Sequence, residues 1–208
     1  MEMLLDLTLS QFLAELASDK AVPGGGSASA LAGAAAGSLV QMVARISLRQ
    51  ADSTELHSAL AEAEELTAKL SALIQRDADA FAQVIQALRM SKGTPAERAE
   101  RSRAIEAAYQ GAAAVPLEVM EVAVRMLAIA EAVAEHCAAS AISDVCVAGQ
   151  LSWAAVQGAA YNVKINLPGI KDQAYVEAAQ TRMEELLYAA DQRKLNVEKC
   201  LCQRADAR

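Results

Sequence analysis

Asp77 stands where a helical core residue is expected. In a long segment free of proline and glycine, apolar residues recur every three or four positions through Leu70 and Leu73, then Asp77, then Phe81. This spacing places Asp77 on the apolar face of a helix, whereas Asp79 points roughly the opposite way. A buried carboxylate is costly unless it is paired or hydrogen-bonded. The pattern therefore predicts either a functional carboxylate or a structural salt bridge to an arginine on a neighbouring helix.

A second isolated carboxylate is Asp144, the only formally charged residue between His136 and Lys164. It directly follows Ser143, in the first turn of a predicted helix, where an acid gains from the helix dipole. The helix dipole explains the position of Asp144 without any catalytic role. It does not explain why the rest of the helix carries no charge. Because a carboxylate in apolar surroundings can stabilise positive charge or transfer a proton, Asp144 is a candidate catalytic residue.

A glycine-rich segment, Pro23–Ser27, precedes the apolar run Ala28–Ala44. Amide groups at a turn and helix start carry a partial positive charge, so they can hold a carboxylate, a phosphate or a carbonyl oxygen. Ser27 is a good N-cap for the helix that follows. A tight turn that packs two helices closely is the alternative. A nucleotide loop is excluded, since neither Gly-Lys-Ser/Thr nor the Gly-x-Gly-x-x-Gly spacing is present and no strand precedes the segment.

The composition predicts one all-α domain. Of 208 residues, 54% are hydrophobic, 3% are aromatic and 48 are alanine, which favours closely packed helices. The net charge of -7, without a block of Lys or Arg, argues against a nucleic-acid partner. The uncharged run 21–44 is too weakly apolar for a membrane span, so we expect a buried core helix there and no membrane partner.

The four cysteines and two histidines do not follow a metal-binding spacing, so we expect no metal. The N-terminus does not read as a signal peptide. We therefore expect reduced thiols in a cytoplasmic protein.

Caps and periodicity predict an up-and-down bundle of about six to seven helices. Gly33-x-x-x-Gly37 leaves a groove for close helix packing, at the centre of the bundle or at a subunit interface. Gly111 and Pro116 interrupt the fourth helical pattern, so we expect a break there and a fifth helix from Pro116. The predicted helices cover residues 8–18, 27–50, 53–90, 95 to the break, 116–135, 140–161 and 172–202.

The segment between the last two helices alternates polar and apolar residues from Asn162 to Asn166. This alternation predicts an extended strand-like segment with Asn162, Lys164 and Asn166 on one side.

Four motifs occur in order along the chain: PGGGS at 23–27, DADAF at 77–81, ISD at 142–144 and GAAYNVKINL at 158–167. Together they resemble the cyclodeaminase/cyclohydrolase family. This family comprises the C-terminal domain of formiminotransferase-cyclodeaminase and the stand-alone bacterial methenyltetrahydrofolate cyclohydrolases. The resemblance implies a single helical domain over residues 1–208 that dimerises and binds reduced folate in a cleft near the glycine loop.

The resemblance also implies chemistry on the one-carbon unit that bridges N5 and N10 of tetrahydrofolate. A stand-alone chain favours the cyclohydrolase, which converts 5,10-methenyltetrahydrofolate to 10-formyltetrahydrofolate. The alternative is the formiminotetrahydrofolate cyclodeaminase, which releases ammonia and forms the methenyl compound. Departures from the family's pattern at 48–52 and 136–139 leave open a non-catalytic folate-binding bundle, and an interaction protein without a ligand is the remaining class.

Site roles follow from the resemblance. Asp144 is the first choice for the residue that stabilises positive charge and transfers a proton, and Asp77 is the second carboxylate. Because of the role given to Asp144, Asp144→Asn is predicted to abolish turnover. Lys164 or Arg45 are candidates for the substrate's glutamate carboxylates. No metal or cofactor is expected beyond the tetrahydrofolate substrate. The substrate-binding candidates are Pro23, Gly24, Gly25, Gly26, Ser27, Ser143, Asn162, Lys164 and Asn166.

Overall fold

The computed structural model describes the backbone of residues 3–206 and the side chains of residues 3–200. The described chain is an all-α bundle of six α-helices, which confirms the predicted fold class. Short 3-10 turns precede α1, join α4 to α5, and join α5 to α6. The helices are α1 (Leu9–Leu16), α2 (Gly25–Leu48), α3 (Thr54–Arg89), α4 (Pro95–His136), α5 (Ile142–Asn166) and α6 (Gln173–Asp206).

Helix α2 lies at the centre of the bundle, packed against α3, α4 and α5. Its glycines allow this close approach: a Cβ on Gly33 would lie 2.9 Å from a methyl carbon of Leu70, and one on Gly37 would lie 2.2 Å from Oγ1 of Thr67. The groove predicted at Gly33-x-x-x-Gly37 is therefore filled by side chains of the same chain. Of the two positions considered for this groove, the structure supports the bundle centre.

By length and apolar character alone, α2 and the segment Ala139–Gly169 are each sufficient to cross a membrane, so the prediction that the run 21–44 is too weakly apolar for a membrane span does not hold. Core helices of soluble proteins meet the same criterion. Both helices are packed against several others in the bundle. Length and composition therefore do not decide the environment of these helices.

Helix α2 begins two residues earlier than predicted, and its N-cap is Gly24 rather than Ser27. Ser27 lies inside the first turn, is fully buried, and its hydroxyl oxygen lies within hydrogen-bond distance of Ile74 and Asp77 on α3. Its side chain is thus bound across to α3 and does not cap its own helix. This correction changes the role of Ser27 in the site described below.

Helix α4 runs without a break through Pro116, so the predicted fifth helix from Pro116 is wrong. A proline inside a helix lacks the N–H that would bond the carbonyl four residues earlier, which here belongs to Ala112. The side-chain Nδ2 of Asn166, on α5, donates to that carbonyl at 2.9 Å. A tertiary hydrogen bond replaces the missing backbone bond, which sequence periodicity does not show.

Asn166→Ala is expected to lower the free energy of unfolding by about 1–3 kcal/mol, because it leaves the buried Ala112 carbonyl without a donor. The loss should be smaller in a Pro116→Ala background, where the restored backbone N–H takes over. A double-mutant cycle measured by urea unfolding tests this coupling. Equal losses in the two backgrounds would show that Asn166 does not compensate for the proline.

The predicted extended segment at Asn162–Asn166 is also wrong, because α5 continues to Asn166. In a helix, residues four apart share a face, so Asn162 and Asn166 lie together and Lys164 points elsewhere. Five alternating residues are too few to distinguish a strand from the end of a long helix.

Candidate functional site

A cleft of about 190 Å³ lies where the start of α2 meets α3, α4 and the end of α5. The glycine-rich segment forms one wall, α3 contributes a carboxylate, and α5 contributes two amides. Apolar side chains complete the lining. The lining residues are Ala21, Val22, Gly24, Gly25, Gly26, Asp77, Phe81, Ala112, Asn162, Ile165 and Asn166.

Asp77 is held in the cleft by Ser27. The Ser27 hydroxyl oxygen lies 3.0 Å from Oδ2 of Asp77 and 2.9 Å from the carbonyl oxygen of Ile74. A hydroxyl has a single proton, so it can donate to only one of these two acceptors at a time. With Asp77 ionised, Ser27 can donate to the carboxylate. With Asp77 protonated, Asp77 can donate to Ser27 while Ser27 donates to Ile74. Ser27 therefore supports both protonation states without movement of a heavy atom.

Burial raises the pKa of Asp77 above its ordinary value, and hydrogen bonds from the Ser27 hydroxyl and amide oppose this in part. Within the described residues, no charged group contributes to the shift. The predicted alternative, a structural salt bridge from Asp77 to an arginine, is therefore wrong. The neighbouring Arg76 pairs with Glu118 at 2.8 Å instead. A carboxyl group whose pKa is raised by burial takes up a proton more readily than an exposed aspartate, as an acid–base group requires.

Gly26 leaves the space that the Asp77 carboxylate occupies. A Cβ at position 26 would lie 2.0 Å from Oδ1 of Asp77, whereas one at Gly25 would touch Asn162 at an ordinary 3.4 Å. At Gly24, a Cβ would meet nothing within 4 Å. All three consecutive glycines line the cleft, but only Gly26 is required by the position of the carboxylate.

The start of α2 also brings backbone donors to the cleft. The first N–H groups of a helix have no acceptor within the helix and carry a partial positive charge. Gly25 and Gly26 are the first residues of α2 and line the cleft. Their amides are therefore suited to an oxygen atom of a ligand.

Asn162 and Asn166 line the opposite wall, one helical turn apart. Asn162 donates one amide proton to the Gly158 carbonyl at 2.9 Å, which leaves its oxygen and second proton for a ligand. Asn166 uses both amide protons, on Ala112 and on the Asn162 carbonyl. Only the side-chain oxygen of Asn166 therefore remains for a ligand.

Asp144 and Ser143 lie at the opposite end of α5 from the cleft. Asp144 precedes Asn162 by 18 residues, which is about 27 Å along a helix at 1.5 Å per residue. Within one chain, the structure does not bring Asp144 to Asp77, so the two predicted carboxylates do not share one site of the same chain. The two carboxylates are far apart because α5 is one long unbroken helix. The sequence motifs alone did not show this separation.

Three other predicted residues lie outside the cleft lining. Lys164 is exposed, with Nζ 5.9 Å from the Tyr161 ring centre. Arg45 pairs with Glu64 at 2.6 Å near the end of α2. Pro23 is buried and follows a cis peptide bond, while its neighbours Val22 and Gly24 reach the cleft.

Several lining residues were not predicted from the sequence, among them Val22, Ala112 and Ile165. Ile165 is 74% exposed, an uncommon position for a large apolar side chain. A helical reading of residues 158–167 would have placed Ile165 next to Asn162 and Asn166. The sequence therefore contained the information needed to place Ile165 in the site, but the interpretation of residues 162–166 as an extended segment did not use it.

The cleft supplies one titratable side chain, helix-start amides and two neutral amides in a partly apolar wall. Among the residues the structure describes, no group of three or more His, Cys, Asp and Glu is placed to hold a metal ion. The protein groups of the cleft are suited to proton transfer and to stabilising charge on a bound molecule.

The family profile described as formiminotransferase-cyclodeaminase matches residues 8–185, which include every residue of this cleft. The chain belongs to the formiminotransferase-cyclodeaminase family. This confirms the resemblance inferred from the four motifs. The cleft at Asp77 therefore lies within the part of the chain that the family shares.

Named relatives include both family activities. A methenyltetrahydrofolate cyclohydrolase of Methylorubrum extorquens is 35% identical over 187 residues, covering 88% of this chain and 90% of the relative. A formimidoyltransferase-cyclodeaminase of Mus musculus is 32% identical and covers 90% of this chain, which spans only 35% of that longer protein. These relatives are folate one-carbon enzymes by name.

A solved structure of the family has the same fold. The crystal structure of formiminotetrahydrofolate cyclodeaminase from Thermotoga maritima matches with a TM-score of 0.84 and 28% identity, covering 95% of this chain and 96% of that one. The all-α bundle described above is therefore the fold of a known cyclodeaminase.

Proposed function

We propose that this chain hydrolyses 5,10-methenyltetrahydrofolate to 10-formyltetrahydrofolate, with Asp77 as the acid–base group. The observation that carries the proposal is the desolvated Asp77 carboxyl group, held by Ser27 beside the helix-start amides of α2. The cyclohydrolase relative supports the choice of reaction, since it aligns with this chain over nearly the whole length of both.

The first step is addition of water to the cationic methenyl carbon. Ionised Asp77 stabilises that positive charge and accepts a proton from the attacking water, which forms a neutral tetrahedral carbinolamine. The proton then passes from Asp77 to N5 as the bond between N5 and the carbon breaks. The carbinolamine hydroxyl loses its proton to solvent and becomes the formyl oxygen on N10. Each turnover consumes one water and releases one proton.

Ser27 takes part through Asp77 and does not touch the substrate. It is fully buried, and its hydroxyl lies between Asp77 and Ile74. The change of donor described above lets Ser27 follow the proton on and off Asp77 during the cycle. The earlier assignment of the Ser27 hydroxyl to direct substrate binding is replaced by this positioning role.

The second candidate reaction is the cyclodeaminase, which the Thermotoga maritima structural neighbour favours. There N10 attacks the carbon of a 5-formimino group, and the leaving ammonia takes up a proton. The same Asp77 carboxyl group can accept the N10 proton and protonate the leaving nitrogen. Both reactions require a group in the cleft that accepts and returns a proton, so an activity assay must distinguish them.

The deciding experiment follows the near-ultraviolet absorbance of 5,10-methenyltetrahydrofolate, which is lost on hydrolysis. The enzyme is expected to accelerate this loss over the unaided rate. Without acceleration, the same band is monitored as it appears from 5-formiminotetrahydrofolate, with release of ammonia. Appearance of this band with release of ammonia establishes the cyclodeaminase. If the enzyme accelerates neither reaction, catalysis on these folates is refuted.

Ser27→Ala is expected to move the acidic limb of the kcat/KM profile to higher pH. Hydrogen bonds from Ser27 lower the pKa of Asp77, so their loss lets burial raise that pKa further, and the active ionised form appears only at higher pH. On the acidic limb, kcat/KM should fall about 10-fold, the order expected for losing one hydrogen bond to a charged group.

The charged groups around Asp77 do not compete with this effect. Arg76 and Asp79 lie on its own helix, Glu118 on α4 pairs with Arg76, and Lys164 on α5 is exposed. Ser38→Ala is the matched control, because in the described part of the chain the Ser38 hydroxyl donates to the Ala34 carbonyl of its own helix. An unchanged acidic limb in Ser27→Ala would show that Ser27 does not tune Asp77.

We also propose that the chain forms a homodimer, as the resemblance to the family implies. Leu9 and Leu13 support this, because they lie one turn apart on α1 and are 68% and 52% exposed. Such a pair gains free energy when covered by another apolar surface. Light scattering of the wild type and of Leu13→Lys measures the mass, and a monomeric wild type contradicts the proposal.

A further inference from the structure

Two of the four cysteines lie on neighbouring helices, α5 and α6. Cys146 is in the first half of α5, and Cys200 is near the end of α6, 54 positions further along the chain. Both side chains are partly exposed at the edge of the hydrophobic core. Whether the two thiols can react with each other depends on the register and the separation of the two helices.

Side-chain hydrogen bonds fix the register of α5 against α6. Trp153 donates Nε1 to a carboxylate oxygen of Asp191 at 2.7 Å. One turn earlier on α5, Gln150 donates Nε2 to a carboxylate oxygen of Glu198 at 2.6 Å. The residue number falls along α5 as it rises along α6, so the two helices run antiparallel.

Gly149 lets the two helices approach closely. A Cβ on Gly149 would lie 3.6 Å from the Cβ of Val197, which is fully buried. The two Cβ atoms of a disulfide lie about 3.5–4.5 Å apart. At this level of the bundle, the backbones of α5 and α6 are therefore at the separation that a disulfide spans.

Cys146 and Cys200 occupy the next turn along the same contact. Cys146 precedes Gly149 by three residues and Cys200 follows Val197 by three, and residues three apart share a helix face. Because the helices are antiparallel, both steps lead in the same direction. Packed helices that cross at about 20° diverge sideways by only about 2 Å over one turn. We therefore expect the two cysteines at or near the separation of a disulfide.

The remaining cysteines differ in what the structure shows of them. Cys137 is the C-cap of α4, is 4% exposed, and donates its Sγ proton to the Ala134 carbonyl at 3.7 Å. A thiol so deeply buried is shielded from oxidants in solution. Cys202 lies outside the described side chains. Cys137 is therefore the internal control for the two partly exposed cysteines.

We propose that Cys146 and Cys200 form a thiol-oxidation site, which hydrogen peroxide converts to a disulfide between α5 and α6. One thiolate attacks the peroxide, so a sulfur–oxygen bond forms, the oxygen–oxygen bond breaks, and the released hydroxide takes up a proton to become water. The second thiolate attacks the sulfur of the resulting sulfenic acid, a sulfur–sulfur bond forms, and a second water leaves. The two sulfurs together lose two electrons to the peroxide.

The disulfide holds the end of α6 against α5. After Val197, the described side chains of α6 are all at least partly exposed, so little burial secures this end of the helix. A link between residues 54 positions apart restricts the unfolded chain and thereby stabilises the fold. Cys146 precedes Asn162 by about 24 Å along α5, so this site is separate from the Asp77 cleft.

The first test identifies the linked peptides. The folded protein is treated with hydrogen peroxide, the remaining thiols are alkylated, and the chain is cleaved before each aspartate for mass spectrometry. This cleavage separates Cys146 from Cys137, since Asp144 lies between them. The fragments 144–171 and 191–205 are expected as one linked species, lighter than their sum by two hydrogens.

Single variants assign the link, because the second fragment contains both Cys200 and Cys202. Cys146→Ser and Cys200→Ser should each abolish the linked species. Cys137→Ala and Cys202→Ser should each retain it. Cysteine and serine have nearly the same shape, so a partly exposed site tolerates the change.

The melting temperature gives a second readout. Peroxide-treated wild type is expected to melt at least about 5 °C above the reduced protein, the order for closing a loop of this length. Dithiothreitol should reverse the rise. Cys146→Ser and Cys200→Ser should show no rise, whereas Cys137→Ala should show the full rise.

The proposal is overturned if peroxide that fully oxidises glutathione leaves the wild type without the link. It is also overturned if the link persists in Cys200→Ser and disappears in Cys202→Ser. A link that forms as readily in urea as in the folded protein would show that the fold does not bring the two thiols together. Neither readout involves a folate, so failure of this proposal is distinguishable from failure of the proposed function.

Discussion

Asp77→Asn is expected to lower kcat by about 10²- to 10⁴-fold, the range for loss of a general acid–base group. The amide cannot take up or release the proton, but it fits the same space and can still accept the Ser27 hydrogen bond. Binding of 5-formyltetrahydrofolate should therefore persist. Stopped-flow measurement of methenyltetrahydrofolate hydrolysis gives kcat, and calorimetry gives the affinity.

The stability of Asp77→Asn provides an independent readout. Burial raises the pKa of Asp77 in the folded state, so wild-type stability falls as the pH rises from the unfolded pKa through the folded pKa. The variant lacks this loss. Its melting temperature at pH 8 should equal or exceed that of the wild type, which separates a catalytic defect from unfolding.

Two further aspartates test the assignment. Asp79→Asn is the control, since Asp79 is exposed and bonds Gln75 on the outer face of the same helix. Asp144→Asn decides between the two carboxylates first considered: from its place at the far end of α5, it should keep near-normal turnover. Normal turnover in Asp77→Asn combined with loss in Asp144→Asn would overturn the assignment to Asp77.

Gly26→Ala is expected to lower kcat/KM at least about 10²-fold, because a misplaced catalytic group costs a factor of that order. The new methyl group would lie 2.0 Å from Oδ1 of Asp77, so the carboxylate must move out of its hydrogen bond with Ser27. The acidic limb of the pH profile should shift as well, which a loss of stability alone would not produce.

Gly24→Ala is the matched control for this change. A Cβ at position 24 meets nothing within 4 Å, and the backbone there has an extended φ of -132° that any residue adopts. It should keep kcat/KM within about 2-fold and cost no more than about 1 kcal/mol of stability at the helix cap. Similar losses in the two variants would mean that the glycines act on the loop and not on Asp77.

Local patterning was enough to predict the all-α class and most helix positions. Thr8 and Thr94 form capping boxes at the starts of α1 and α4, and such caps depend only on residues three positions apart. The apolar spacing of α3 also singled out Asp77, since a helix repeats its faces within a few residues. The family was recognisable from four short motifs, which the comparisons confirmed.

The assembly of the site depended on tertiary contacts. Pro116 is accommodated by Asn166, 50 residues away in the chain, and Ser27 binds Asp77 from another helix instead of capping its own. Asp144 carries a suitable side chain, yet the unbroken α5 holds it far from the cleft. Sequence spacing reveals which residues share a helix face, whereas the pairing of faces between helices is set by packing and by hydrogen bonds that form only in the folded bundle.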